Sequence, residues 1–443
     1  MAPDSATGDR AVGIVRPVES PAARKARYDA AVAGIPAPLA ILDMAAVRAN
    51  AQDMVRRAGG TPIRLATKSL RVRSIIAEVA GLPGFSGLLA YSLPEALFLH
   101  RTGTSNDIVV AYPTVDRAAI AELAADPGAA ASITLMVDCV EHLDLIEAAL
   151  AGSATEGPTL EGPTLEGPTP AGPLPAGPPT PIRVAIDVDA SYRPRGSDRV
   201  HLGVRRSPIR TPQQAAQLAR AITGHPHLEL DGLMAYEAQI AGVGDQPPGN
   251  PARGALIRAM QSRSAEELAG RRAAVVAAVR EVADLRFVNG GGTGSLERTT
   301  AEPAVTEVAA GSGVFAPHLF DTYRAFRPRP AAHFALPVVR RPATGWVTLF
   351  GGGYLASGPA DRQRLPVVAL PEGLSLSGTE GAGEVQTPVH GAAADGLALG
   401  DLVWLRHAKA GELAERFTSV HLVEGSQRVG EARTYRGEGQ SFG

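Results

Sequence analysis

Between residues 63 and 309 the chain sets out eight short runs rich in β-formers. They are Ile63–Lys68, Gly87–Tyr91, Asp107–Tyr112, Ile133–Asp138, Ile182–Val188, Leu230–Tyr236, Arg286–Asn289 and Thr306–Ala309. Several are apolar on successive residues (LLAY, IVVAY, IRVAIDV), which is the pattern of parallel strands covered on both faces rather than of a half-wet antiparallel sheet. Ala- and Leu-rich stretches of helical length separate most of them, Leu93–Arg101 and Ser264–Val282 among them. Eight such units in about 250 residues predict a (β/α)8 barrel in preference to an open doubly wound sheet.

Two stretches break this rhythm. Residues 152–181 repeat EGPTL and then AGP, with no aliphatic spacing able to build a core; they read as a disordered Pro/Gly-rich insertion with no catalytic role. Beyond about Arg327, short runs (Gly345–Phe350, Arg364–Ala369, Leu402–Leu405, Ser419–Val423) alternate with Gly, Pro and Asp turns, the signature of a smaller, mainly β domain. The expected organisation is an N-terminal extension over 1–35, a barrel over 36–327 and a C-terminal β-domain over 328–443, with strand 38–42 a candidate to join the latter.

Composition narrows the classes. The chain has 443 residues, 43 basic against 45 acidic, and a net charge of −2, so nothing marks it for nucleic acid or an anionic membrane. Cys139 is the only cysteine, which excludes an internal disulfide and a cysteine-rich zinc cluster. There is no apolar run of spanning length and no signal-peptide core near Met1, so a soluble cytoplasmic protein is expected.

Two clusters carry chemistry. Lys68 ends the first barrel run (IRLATKS), at the face where barrel enzymes work. Desolvation there lowers an amine's pKa, and the neutral amine is the form that attacks an aldehyde; a strand-end lysine facing solvent is the plainer alternative. After the seventh run comes Asn289-Gly290-Gly291-Gly292-Thr293-Gly294-Ser295, and after the eighth Gly311-Ser312-Gly313. Consecutive glycines let backbone N–H groups converge on an anion, and the loops after the seventh and eighth strands are where barrels hold phosphate. Together with the lysine they outline a phosphate-plus-imine site.

In these motifs the chain resembles the fold-type III, alanine racemase-like enzymes of pyridoxal 5'-phosphate, and within them the D-threonine aldolase and D-serine dehydratase group (amino acid deaminase/aldolase). The resemblance runs through ILDMAAVRAN, ATKS, LMAYEAQIAG, VNGGGTGS, TEVAAGSGVF and GDLVWLRHAKAGE, over roughly residues 36–425. It implies that Lys68 is the Schiff-base lysine, that Gly291, Gly292, Thr293, Gly311 and Ser312 bind the phosphate, and that Tyr236 lies close to the cofactor. His201, in VHLGV, stands where an arginine faces the pyridine nitrogen in alanine racemases. Tyr192, Arg193, Arg195, Arg205 and Arg206 are further candidates for a carboxylate or cofactor contact. Tyr354, in the β-domain, is a candidate opposing acid/base, in such enzymes often supplied by a partner subunit.

One departure bears on the reaction. The aldolase and dehydratase relatives hold a divalent metal on a histidine and a cysteine or aspartate two residues later. Here His407 is present but Lys409 takes the partner position, and an ammonium repels a metal ion. Either Lys409 replaces the metal's charge, the preferred reading, or His407 keeps a metal with Glu412 or His390. The expected function is a lyase acting on D- or β-hydroxy amino acids by retro-aldol cleavage or dehydrative deamination. Lys68, Tyr354, His407 and Lys409 would carry the catalysis, and the resemblance implies a homodimer with a site shared across the subunit boundary. The alternatives are an amino-acid racemase and a non-enzymatic carrier of the cofactor.

Overall fold

The computed structural model describes residues 19–153, 180–196, 199–352 and 354–442. The repetitive segment therefore lies almost wholly outside the described residues; its first two positions close the helix Val140–Ser153. Strand β1 (Leu39–Asp43) comes first and is followed by a closed parallel barrel. The barrel strands are β2 (Ile63–Ala66), β3 (Phe85–Ala90), β4 (Ile108–Val110), β5 (Ile133–Val137), β6 (Ile182–Asp187), β7 (Leu228–Ala235), β8 (Phe287–Gly290) and β9 (Glu307–Ala310). All eight expected runs form strands, and β2 closes on β9 with Ile63, Arg64 and Leu65 opposite Val308, Ala309 and Ala310.

The helices start where short polar side chains can satisfy free N–H groups. Ser92 caps Leu93–Arg101, which matches its expected bounds, and Thr211 forms a capping box with Gln214 at the head of Pro212–Gly224. The expected helix Ser264–Val282 is longer, Pro251–Arg280, capped by Asn250. Its first turns carry mostly exposed residues, so they showed no apolar face to read.

The barrel interior has two layers. At the end where the strands begin, Arg64 is buried between Glu307 (2.7 Å) and Asp107 (3.1 Å), and Arg286 holds Asp231 (2.6 Å), which also accepts from Thr134 (2.6 Å). Above lies an apolar plug of Val109, Met136, Ala185, Met234 and Phe287. The larger core fills the space between strands and outer helices. A filled barrel leaves chemistry to the mouth, where the strands end.

The C-terminal part is built from β10 (Ala332–Ala343), β11 (Trp346–Phe350), β12 (Val367–Leu370), β13 (Ser375–Leu376), β14 (Gln386–His390), β15 (Leu402–Arg406), β16 (Ser419–Glu424) and β17 (Gln427–Arg433). The sheet order is β13-β14-β11-β10-β1-β16-β17, with β15 bridging β10 and β12. Four of these eight strands follow the apolar runs in the sequence. The others are interrupted by proline (β10), very short (β13) or largely polar (β14, β17), so periodicity does not reveal them. β1 pairs antiparallel with β10 and parallel with β16. The helix Pro21–Ala31 packs on this sheet through Tyr28, whose ring lies 5.3 Å from Trp404 and 5.1 Å from His333. His333 is a fully buried residue of β10.

Candidate active site

Lys68 follows β2 in the short turn Thr67–Ser69, exposed at the barrel mouth. Its Nζ donates to the Tyr112 hydroxyl at 2.6 Å. Tyr112 ends the run after β4. Burial pushes its phenol up, but Lys68 and then Arg206 outweigh that, and its pKa lies below the ordinary value. The Arg206 guanidinium stands 5.0 Å from the Tyr112 ring and 5.3 Å from the Tyr236 ring. Tyr236 follows β7; burial pushes its phenol up to about 12, against the pull of Arg206.

The line continues into the glycine turns. A methyl group at Gly292 would come within 3.2 Å of the Tyr236 ring. Thr293 Oγ1 accepts from the Gly313 N–H and from the Ser312 hydroxyl, each at 3.2 Å, so the loops after β8 and β9 meet at this hydroxyl. Gly311 passes so close to β2 that a Cβ would sit 2.4 Å from the Ala66 carbonyl oxygen. That approach requires glycine, and it fixes the second turn beside the Lys68 turn.

Glu237, wholly buried, organises the first turn from below. It accepts from the Gly291 N–H (3.0 Å), the Ser295 hydroxyl (3.0 Å) and the Thr299 hydroxyl, and pairs with Arg272 (2.9 Å). Arg272 in turn pairs with Glu302.

The C-terminal domain closes on Lys68 within the same chain. Gly411, at φ +58°, lies where a Cβ would be 1.7 Å from the Lys68 carbonyl oxygen. Arg71 bonds that carbonyl (3.2 Å) and Glu415 (2.7 Å), and the Tyr435 N–H donates to the Arg71 carbonyl (2.9 Å). This docking brings in Lys409, which donates to the Ser357 hydroxyl at 2.8 Å. Partial desolvation lowers the Lys409 pKa; Glu412 opposes the shift, while Arg364 and the nearby Lys68 add to it. Arg71, Tyr354, His407, Lys409, Glu412 and Arg416 line a cavity of about 430 Å³.

His407 is buried, with neither ring nitrogen bonded among the described residues, and burial presses its pKa down to about 3. Glu412 accepts from the Ser357 N–H (3.1 Å). His390 is placed elsewhere, stacked on Trp346 at 4.8 Å. Tyr354 packs against Phe334 (4.7 Å) and Phe417 (5.9 Å), and burial raises its pKa.

Residues 42–316 match the family model for the alanine racemase N-terminal domain, more than half of the chain. The chain belongs to the alanine racemase N-terminal domain family. No curated protein matches its sequence. Among solved structures it is similar to D-threonine aldolase from Filomicrobium marinum, with a TM-score of 0.70 at 17% identity over 91% of this chain and 96% of that one. D-threo-3-hydroxyaspartate dehydratase from Delftia sp. HT23 gives 0.68 at 18%, over 90% and 98%. Alanine racemase from E. faecalis gives 0.54 at 17%, over 86% and 94%. At such identities these likenesses establish the fold.

Within this family member, several mouth residues were not singled out from sequence. Tyr112 ends an apolar strand just as Lys68 does, and the same logic applied there would have found it. Asp187 ends β6; burial first, then Asp138 and Asp189 against the pull of Arg206, raises its pKa to about 7. Arg206 was one of five unranked candidates. The structure separates it from Arg193, which is held by Asp189 (2.9 Å); Arg195 has no described side chain. His201 bonds the Val204 carbonyl (3.1 Å) within its own loop, and its other ring nitrogen is buried without a partner among the described residues. No helix among the described residues is long and apolar enough to cross a membrane.

Proposed function

We propose that this chain is a pyridoxal 5'-phosphate-dependent lyase acting on D-configured β-hydroxy amino acids. The observation that carries the reading is one continuous mouth: Lys68, Tyr112, Arg206 and Tyr236 lead into the Thr293–Ser312 cradle, with the C-terminal domain docked on the Lys68 turn through Gly411. The residues fit the cofactor. An amine stands at one end and, at the other, a hydroxyl-lined turn with close-packed glycines. Lys68 would hold the aldehyde carbon, and Gly291, Gly292, Thr293, Gly311 and Ser312 would surround the phosphate.

When bound, pyridoxal phosphate supplies an electron sink for a bond broken at the amino acid's α-carbon. The chain's own residues do the rest. Tyr112, its phenol made more acidic by Lys68 and Arg206, is placed to exchange a proton with the Lys68 amine. Arg206 holds a positive charge between two phenols, where it can orient the ring or the substrate carboxylate. Lys409 presents an ammonium where the aldolase-like relatives would carry a metal ligand. It can orient a β-hydroxyl or take up charge developing there.

A racemase needs a second base facing Lys68. Tyr354 is the candidate, but its aromatic packing raises its pKa and disfavours that use. The exposed apolar residues Phe350, Leu355 and Val385 of the β-domain support a homodimer, which sedimentation tests directly.

The deciding experiment is incubation with D-threonine, D-serine and D- and L-alanine, scoring glycine, 2-oxo acid and optical inversion separately. Glycine or 2-oxo acid formation supports the lyase, and inversion alone transfers the protein to the racemases. Pure protein should absorb in the near-ultraviolet to violet, and Lys68→Ala should abolish that band. Colourless protein that takes up no added cofactor overturns the reading. Lys409→Ala should lower turnover by about a hundredfold while the band remains.

A further inference from the structure

A separate cluster of ligand-type side chains lies where β5 runs into the helix Val140–Ser153. Asp138, Cys139 and His142 each offer a donor atom, and the three donors lie within 4.8 Å of one another. His142 Nδ1 is 3.1 Å from Asp138 Oδ1 and 3.4 Å from Cys139 Sγ. We infer that these three residues form a binding site for one zinc ion.

The distances suit that ion. Tetrahedral zinc with metal–ligand bonds of about 2.0–2.1 Å to nitrogen and oxygen and about 2.3 Å to sulfur separates neighbouring donors by roughly 3.3–3.6 Å. The two measured separations already fall close to this range, so capture needs only small side-chain movement. The spacing of Cys139 and His142, three residues apart at a helix start, puts sulfur and imidazole on one face. Thiolate and imidazole together select zinc over magnesium or calcium, which take oxygen donors.

His142 Nδ1 accepts from the Asp138 N–H at 3.3 Å and lies 3.1 Å from the Asp138 carboxylate and 3.4 Å from the Cys139 sulfur, so three donor types converge on one place. A cation there takes the Nδ1 lone pair, and a small turn of the imidazole releases the Asp138 N–H. All three residues are partly exposed, so an ion can enter. Water completes the coordination.

The site shares no residue with the proposed Lys68 chemistry and is distinct from His407, so its test does not depend on that reading. Full-length protein, stripped with a chelator and exchanged into zinc, should retain one zinc per chain after gel filtration. Its affinity, measured by competition with a chromophoric chelator, should fall by more than about tenfold in Cys139→Ser and in His142→Ala, since even loss of an outer partner of a zinc site costs that much. His407→Ala should leave the affinity unchanged. Zinc should raise the melting temperature of the parent protein but not of Cys139→Ser, a conservative change at a partly exposed position that spares the core. The inference is overturned if no zinc is retained, if both cluster variants bind as the parent does, or if His407→Ala alone abolishes binding.

Discussion

At the scale of single residues, charge and burial determine what each group at the mouth can do. Tyr112 is the partner of Lys68, and its lowered pKa comes from neighbours rather than from the strand that carries it. Tyr112→Phe should keep the cofactor's absorbance and cut turnover by about a hundredfold, the usual worth of a placed proton-transfer group; steady-state kinetics on fully loaded protein checks this. His407 lends itself to a stability test. Its pKa in the fold, about 3, lies below the ordinary value of 6.5, so the neutral ring is the folded form. Such a group contributes its full stability above about pH 6.5 and loses it progressively as pH falls towards 3. Denaturant titrations of His407→Gln should therefore show a loss between pH 6 and pH 4 that is shallower by about 1.4 kcal/mol per pH unit.

At the scale of elements, the glycine-rich turn after β8 owes its shape to a residue on another strand end. Glu237 takes up the Gly291 N–H and two hydroxyls, and Arg272 balances its charge with both side chains only 2% exposed. Removing one partner of a buried pair leaves the other charge uncompensated. Glu237→Ala should cost about 3 kcal/mol, near the lower end for such pairs because Glu302 still faces Arg272. Thermal unfolding measures the cost, and weaker binding of the phosphorylated cofactor than of pyridoxal should accompany it. From sequence the turn was legible as Gly-Gly-Gly-Thr, since glycines in a row have few other uses. The role of Glu237 was not, because nothing along the chain distinguishes a buried acid from an exposed one.

For the whole molecule, β1 is the join. It is the central strand between β10 and β16, about 290 and 380 residues away, and the helix before it covers the sheet with Tyr28. Fully buried Tyr28 touches Trp404 and His333 and donates to Asp43 (3.1 Å). Tyr28→Ala should cost about 3 kcal/mol or more, by the cavity it leaves, and unfolding experiments would show whether the sheet loosens before the barrel does. The same closure sets the Gly411 turn against Lys68 and so carries Lys409 into the mouth.

The barrel was legible from sequence alone, because strands covered on both faces are written as apolar runs, as several of the eight are, and the eight recur at βα spacing. Lys68 and the two glycine turns were legible for a related reason: each sits at the end of such a run, and strand ends are where a barrel exposes chemistry. Tertiary structure decided what local patterns cannot encode. It set Arg206, one of five candidate residues, against two tyrosine rings on different strands, because only folding shows which side chain reaches both. It placed Lys409 in the cavity with Tyr354 and His407, and His390 on Trp346, since both depend on how a sheet assembled from distant strands docks on the barrel. It also left His407 buried without a partner among the described residues, an outcome of packing that its neighbours in sequence do not announce.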